Sequence, residues 1–247
     1  IKLGFREANS SNVINVETCP ILVDPLSKLI GPLRDALTGF ESARHIGHIS
    51  LIAGDNTSHL VIKHTKALEA ELIDAVSELV NTSSSVGVCG IELKLENKQG
   101  QIRSVGRGTD MVMNTVNGCS ISPSANDFIQ INRVVNEKMV NQAIGWLNPK
   151  PNERIADWFS GLGNFTLPIA KLGAKVQAVE GVAEMVRRAK DNAQQQGIEN
   201  VEWLHLDLAD KTNVEASLQQ DFDKVLLDPS REGALTVCHA LVKALPK

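Results

Sequence analysis

Four short stretches in the second half of this chain place carboxylates or glycines where an apolar run ends, the arrangement that binds ligands at the edge of a sheet. The first is Asp157-Trp158-Phe159-Ser160-Gly161-Leu162-Gly163-Asn164-Phe165, a glycine-containing turn leading straight into a helical pattern. Such a turn lets a ligand approach the backbone closely at the carboxyl end of a parallel sheet. The second is Val179-Glu180-Gly181, where a strand-end carboxylate can accept hydrogen bonds from two ribose hydroxyls. An exposed strand-end charge is the competing reading, and it loses weight because Glu180 comes together with the glycine turn. The third, Leu206-Asp207-Leu208, offers an acceptor for an adenine amino group, or else a helix cap. The fourth, Leu226-Leu227-Asp228-Pro229-Ser230-Arg231-Glu232-Gly233, reads as a rigid polar turn facing the reactive end of a cofactor, with an ordinary strand-to-helix turn as the competing reading.

The turn also bears on the kind of cofactor. A dinucleotide fingerprint, G-x-G-x-x-G/A, needs a third small residue where this chain has Thr166. Asn164 and Phe165 fill the helix entrance that a pyrophosphate would use. A smaller, cationic cofactor without pyrophosphate is favoured.

These stretches need a parallel sheet to bring them to one edge, and the pattern supplies one. From Arg154 onward strands expected at 154–159, 175–179, 201–206 and 224–227 alternate with helices at 165–172, 182–196 and 233–245 and a weaker one at 213–219. A long amphipathic helix at 132–147 stops at Asn148-Pro149-Lys150-Pro151. Further upstream, strands are expected at 13–16, 43–53, 58–64, 86–95, 101–105 and 111–116, with Ser83–Ser85 as a loop and Asn97–Gly100 as a hairpin turn. One helix there has Asp24 as its N-cap and Pro25 at its first position, and a second spans 67–80. The fold class is α/β, with a Rossmann-like domain over residues 126–247 preceded by a smaller α+β domain over 1–125.

Composition fits this picture. Of 247 residues 43% are hydrophobic, which is ample for a core and excludes a disordered chain. A net charge of −4 argues against a protein that coats nucleic acid by bulk charge. No apolar run approaches the roughly 20 residues of a membrane span, and IKLGFREANSS lacks the apolar stretch of a signal peptide, so a cytoplasmic location is expected. Cys19, Cys89, Cys119 and Cys238 form no C-x-x-C pair, so the spacing indicates neither a zinc site nor a disulfide framework. Arg44, His45, His48, Lys63, His64 and Lys66 make the densest basic region, more economically a solvated strand face than a grip on RNA. His45 and His48, three apart on an expected strand, would point to opposite faces and hold no metal.

The segments FIQINRVVNEKMV, DWFSGLGNFTLPIA, AVEGV, KDNAQQQGIENV and DKVLLDPSREGA, together covering roughly 126–247, resemble the RumA/RlmD, RumB/RlmC and TrmA family of RNA uracil-C5 methyltransferases. Upstream, LGFREANSSNVINVETCPIL and ARHIGHISLI are similar to the central domain of the RumA/RlmD branch, which methylates 23S ribosomal RNA. The resemblance implies a class I methyltransferase fold, S-adenosyl-L-methionine as cofactor and 23S ribosomal RNA as partner, with no membrane or DNA partner. It implies cofactor contacts from Gln130, Phe159, Asn164, Glu180, Asp207 and Asp228, and leaves Phe128 as core. Ser160 stands where the family usually has Cys, and DPSREG replaces the commoner DPPRAG or DPARAG.

The resemblance also implies groups outside this stretch. The family's nucleophilic cysteine and its glutamate base are expected after Lys247, leaving no catalytic residue within the chain, and Cys238, inside an expected helix, is expected to pack in the core. Cys19, in Glu17-Thr18-Cys19-Pro20-Ile21, matches the fourth ligand of a [4Fe–4S] cluster whose other three cysteines would precede Ile1. The chain therefore reads as a fragment of a larger enzyme, inactive alone and fragile at its open sheet edge. Three other readings stand beside this one: a tRNA uracil-C5 methyltransferase of the same family, a nucleotide-dependent oxidoreductase, and a non-catalytic RNA-binding relative. Binding of NAD would favour the oxidoreductase, and absence of a downstream S-C-N-P-like segment would favour the non-catalytic protein.

Overall fold

A computed structural model describes all residues except 85–89, 219–220 and 245–247. Cys89, the first part of the strand expected at 86–95, Ser85, Gln219 and Leu245 lie outside the described residues. The chain divides into two compact units, Ile1–Val112 and Met113–Lys247.

In the first unit a small hairpin, β1 (Gly4–Arg6) with β2 (Val13–Asn15), precedes helix α1 (Asp24–Leu37). A short 3-10 turn, Glu41–His45, leads into β3 (Ile46–Ala53), β4 (Thr57–His64), α2 (Ala70–Ser84), β5 (Gly90–Glu96) and β6 (Ile102–Val105). The sheet order is β3-β4-β5-β6, with β4 and β5 parallel and the two outer pairings antiparallel. Helical spacing explains the packing: Leu26, Leu29, Leu33 and Leu37 of α1 and Leu72, Val76 and Val80 of α2 bury one stripe each. Strand alternation supplies the facing layer, Leu60 and Ile62 from β4 with Leu93 and Leu95 from β5. The hairpin at Asn97 is held by its own side chain, whose Oδ1 accepts the N–H groups of Gln99 and Gln101 at 3.0 and 2.9 Å.

Three expectations for this half need correction. Asp24 is not the cap of α1, because the Val23 carbonyl already accepts the N–H groups of Leu26 and Ser27, which makes Asp24 the first helical residue. His45 lies in the 3-10 turn and only His48 lies on β3, so the two never share a strand. Ser83 and Ser84 continue α2 instead of opening a loop.

The second unit begins with a two-residue pairing, β7 (Met113–Asn114) with β8 (Ser120–Ile121). The strand expected at 111–116 is shorter because Asn117 and Gly118 take positive φ, 57° and 66°, and turn the chain back. Helix α3 (Arg133–Leu147) follows, capped by the Asn132 side chain accepting from Val135 N–H and closed by Asn148 at φ 44°. It is less amphipathic than expected: Val140 is buried, while Val134, Val135 and Trp146 are exposed.

Strict alternation then runs β9 (Arg154–Trp158), α4 (Thr166–Lys171), β10 (Lys175–Glu180), α5 (Ala183–Gln195), β11 (Val201–His205), α6 (Lys211–Ser217), β12 (Lys224–Leu227) and α7 (Leu235–Ala244). The sheet is wholly parallel in the order β11-β10-β9-β12, so the chain reverses direction across the sheet on either side of β9. That is a Rossmann-like core, and its switch point opens a crevice at the carboxyl end of β9. Cys238 does not pack in the core: Val237 and Ala240 carry the buried face of α7, and Cys238 lies on its exposed side. No helix among the described residues is long and apolar enough to cross a membrane.

Leu33, fully buried between α1 and the first unit's core, sets a direct test of this packing. Leu33→Ala is expected to cost about 2–5 kcal/mol, read from urea denaturation followed by far-UV circular dichroism. A cost below about 1 kcal/mol would contradict the packing.

Candidate cofactor site

The glycine turn is built by strain and by backbone hydrogen bonds. Directly after β9, Phe159 takes φ 67°, a left-handed conformation that costs a non-glycine residue on the order of 1–2 kcal/mol. In return the N–H groups of Phe159 and Ser160 both reach the Val179 carbonyl, at 2.9 and 3.0 Å, and bind the turn to the end of β10. Gly161 follows at φ 56° and Gly163 at φ 94°. A side chain at Gly163 would come within 3.1 Å of the Trp203 ring and 3.0 Å of Leu167, so close packing requires glycine there as well.

Glu180 holds this turn from the other side. Its Oε2 accepts the Gly161 N–H at 3.0 Å and its Oε1 accepts the Val182 N–H at 3.0 Å. One carboxylate therefore ties the glycine turn to the start of α5, and each oxygen retains a further lone pair for a ligand hydroxyl. At the next strand end Asp207 is exposed, and its Oδ1 accepts the Ala209 N–H at 2.9 Å. It is not the cap of α6, a role that falls to Asp210.

On the far side of β9, Asp228 follows β12, and its N–H points to the Trp158 carbonyl at 3.4 Å. Although the residue touches solvent, partial desolvation of its carboxyl raises the Asp228 pKa. Beneath the turn lies Asp157, an acid in the middle of the apolar strand β9 and completely buried. Its Oδ2 accepts the Thr166 hydroxyl at 2.5 Å, and its Oδ1 has no hydrogen-bond partner among the described residues. Burial pushes its pKa up to about 7, opposed by the Thr166 bond and reinforced by the charges of Asp228 and Glu180. Asp157 is a site residue beyond those expected from the sequence. Its signal was a charged residue inside Ile155-Ala156-Asp157-Trp158.

Asn164 ends the turn, but its side chain faces α3. It forms a reciprocal amide pair with Asn136, at 3.1 and 2.9 Å, and accepts the Thr115 hydroxyl at 3.3 Å. Gln130 is partly buried in the segment that leads into α3. Phe128, expected in the core, is 74% exposed. The reason is its neighbour: Asp127 takes the interior position, where Arg188 of α5 and the Ser124 N–H hold its carboxylate. Phe159, Asn164 and Glu180 thus share one turn, while Asp207 and Asp228 stand at the neighbouring strand ends. Glu180 and Asp207 put carboxylates at the ends of β10 and β11, with no lysine or arginine in 159–164, 180–182 or 206–208, while Arg231 follows Asp228 after β12, so the β10–β11 side of the edge suits a cationic ligand.

In the first unit the basic region is largely committed. Arg44 pairs with Glu41 at 2.8 Å, Lys63 with Glu96 at 2.6 Å, and His64 Nδ1 bonds the Lys66 carbonyl at 2.9 Å. Cys19 is buried with its N–H donated to Ser27 Oγ at 2.9 Å. Among the described residues no three His, Cys, Asp or Glu side chains gather to hold a metal, and Cys19 within this chain does not fit a four-thiolate cluster.

Residues 110–247 match the family model described as tRNA (uracil-5-)-methyltransferase. Over its full length the chain is 76% identical to the 23S rRNA (uracil(1939)-C(5))-methyltransferase RlmD of Alteromonas mediterranea, covering 50% of that protein. It is 36% identical to RlmD of Klebsiella pneumoniae, covering 55% of it. The chain thus spans about half the length of the curated relatives it matches. Among solved structures, Pyrococcus abyssi tRNA (uracil-54, C5)-methyltransferase in complex with S-adenosyl-L-homocysteine superposes with a TM-score of 0.73. That alignment covers 98% of this chain and 60% of the other at 17% identity, a likeness of fold.

The state of Asp157 gives a pH test with a definite sign. Its carboxyl titrates near 3.8 when unperturbed and near 7 when folded, so the folded protein keeps a proton that the unfolded chain releases. The resulting stability is fully present below about pH 4 and is lost as pH rises through about 7, on the order of 4 kcal/mol in all. Urea denaturation between those limits is expected to show the wild type losing stability relative to Asp157→Asn as pH rises. Parallel pH profiles would contradict it.

Proposed function

The chain belongs to the tRNA (uracil-5-)-methyltransferase family, and on that premise we propose that the whole protein methylates C5 of a uridine in 23S ribosomal RNA with S-adenosyl-L-methionine. The choice of ribosomal RNA is supported by the RlmD relatives, which match the chain from end to end. The observation that carries the cofactor reading is Glu180, a carboxylate fixed at the end of β10 against a glycine turn and flanked by further acids.

Uracil C5 is a weak nucleophile. In this reading a cysteine thiolate adds to C6 and makes C5 enolate-like, and a glutamate later removes the C5 proton so that the thiolate can leave. We place both groups beyond Lys247. S-adenosyl-L-methionine supplies an electrophilic methyl group on a sulfonium. This chain's own residues bind and orient: Glu180 accepts the ribose hydroxyls, Asp207 the adenine amino group, and Phe159 and Asn164 border the turn. Gln130 would add a further cofactor contact, and Asp228 would face the reactive end, where carboxylate charge favours the sulfonium. The preceding domain helps to grip RNA, and the work is done in the cytoplasm.

A nucleotide-dependent oxidoreductase is disfavoured by Thr166, which stands where the dinucleotide fingerprint has its third small residue. A tRNA substrate is the second reading, favoured by the description of the matching family model. The full-length protein, given methyl-labelled S-adenosyl-L-methionine, is expected to form 5-methyluridine in 23S ribosomal RNA transcripts and not in tRNA. Label in tRNA alone would move the substrate to the tRNA branch, and label in neither would overturn the proposed activity.

A further inference from the structure

Helix α5 carries a polar stripe that the cofactor reading does not use. Arg188, Asn192 and Gln196 stand four residues apart, on one face of α5 and its C-terminal cap. Each is bonded to the segment that precedes α3. Gln196 Oε1 accepts the Ser120 N–H at 2.8 Å while its Nε2 donates to the Ser120 carbonyl at 2.8 Å. Asn192 Oδ1 accepts the Ser122 N–H at 3.0 Å, and Arg188 pairs with the Asp127 carboxylate.

The spacing is matched. Four helical residues rise about 6 Å, and the two extended residues from Ser120 to Ser122 span nearly the same length. The partners are withdrawn from water: Asn192 is 3% exposed and the Asp127 side chain 4%. Burying a guanidinium and a carboxylate where apolar side chains could pack adds little net stability, and the best-attested use of such a pair is to fix register.

What is being registered is the segment that bears Gln130. Beyond Asp127 it runs through Phe128 and Gln130 to Asn132, the cap of α3, and α3 is itself tied to the glycine turn by the Asn136–Asn164 amide pair. The other end of α5 begins where Val182 N–H meets Glu180. One helix is therefore bonded to Glu180 at its start and to the Gln130 segment along its side.

We propose that Arg188, Asn192 and Gln196 are positioning residues that hold Gln130 in register with Glu180, so that two of the residues read as cofactor contacts are positioned through a single helix. The proposal rests on the cofactor reading above and adds residues that touch no ligand.

The test uses the full-length protein, calorimetric titration with S-adenosyl-L-homocysteine, and hydrogen exchange of the backbone. In the wild type the ligand is expected to increase protection at residues 128–131. Arg188→Met is expected to weaken binding by roughly ten-fold and to abolish that added protection, with β9 and β10 amides still protected. Arg188→Lys, which keeps the charge, is expected to recover part of the affinity. Because Arg188→Met strands a buried carboxylate, the double variant Asp127→Ala with Arg188→Met, which removes the pair and leaves no unpaired charge, serves as a folded companion and is expected to show the same loss. Wild-type affinity and protection in both the Met variant and the double variant would overturn the proposal. A wild-type protein that does not bind S-adenosyl-L-homocysteine would overturn it through its premise, a failure distinguishable because it precedes any substitution.

Discussion

Two backbone hydrogen bonds to one carboxylate organise the candidate site. Glu180 accepts from Gly161 on the glycine turn and from Val182 at the entrance of α5, and it stands on the strand that lies beside β9. The turn carries strain at Phe159, a non-glycine residue at positive φ, while Gly161 and Gly163 take positive φ without it. Its geometry persists because Glu180 and the Val179 carbonyl over-determine it from the same neighbouring strand. A ligand hydroxyl arriving at Glu180 meets a carboxylate already oriented by these bonds, so little ordering remains to be done on binding.

The electrostatics follow from the same placement. Carboxylates end successive strands of the parallel sheet, and a fourth acid, Asp157, is buried under the turn with one oxygen unpartnered among the described residues. Burial chiefly raises the Asp157 pKa, and repulsion from the charges of Asp228 and Glu180 adds to the rise. A cation in the crevice relieves that repulsion, whereas a pyrophosphate adds to it. The chemistry of the edge and the family to which the chain belongs therefore point the same way.

Much of this was legible from local pattern. The alternation after Arg154, the hairpin at Asn97 and the stop at Pro149 each depend on residues a few positions apart, and each appears in the structure within a residue or two. What local pattern did not carry was long-range pairing. Phe128 looked like core because it is aromatic, but Arg188, 61 residues away, draws Asp127 inward and leaves the ring outside. Asn164 sits in the right turn, yet its amide is bound to Asn136 on another helix. Cys238 was misjudged by helical phase alone, since one residue's rotation on α7 separates the buried Val237 from an exposed thiol.

The most direct test of the account is a pair of calorimetric titrations, with S-adenosyl-L-homocysteine and with NADH, on the wild type and on Glu180→Gln. The account predicts saturable binding of S-adenosyl-L-homocysteine alone, weakened at least about ten-fold when one acceptor oxygen of Glu180 becomes an amide. Binding of NADH in its place, or binding of S-adenosyl-L-homocysteine that ignores Glu180, would contradict it.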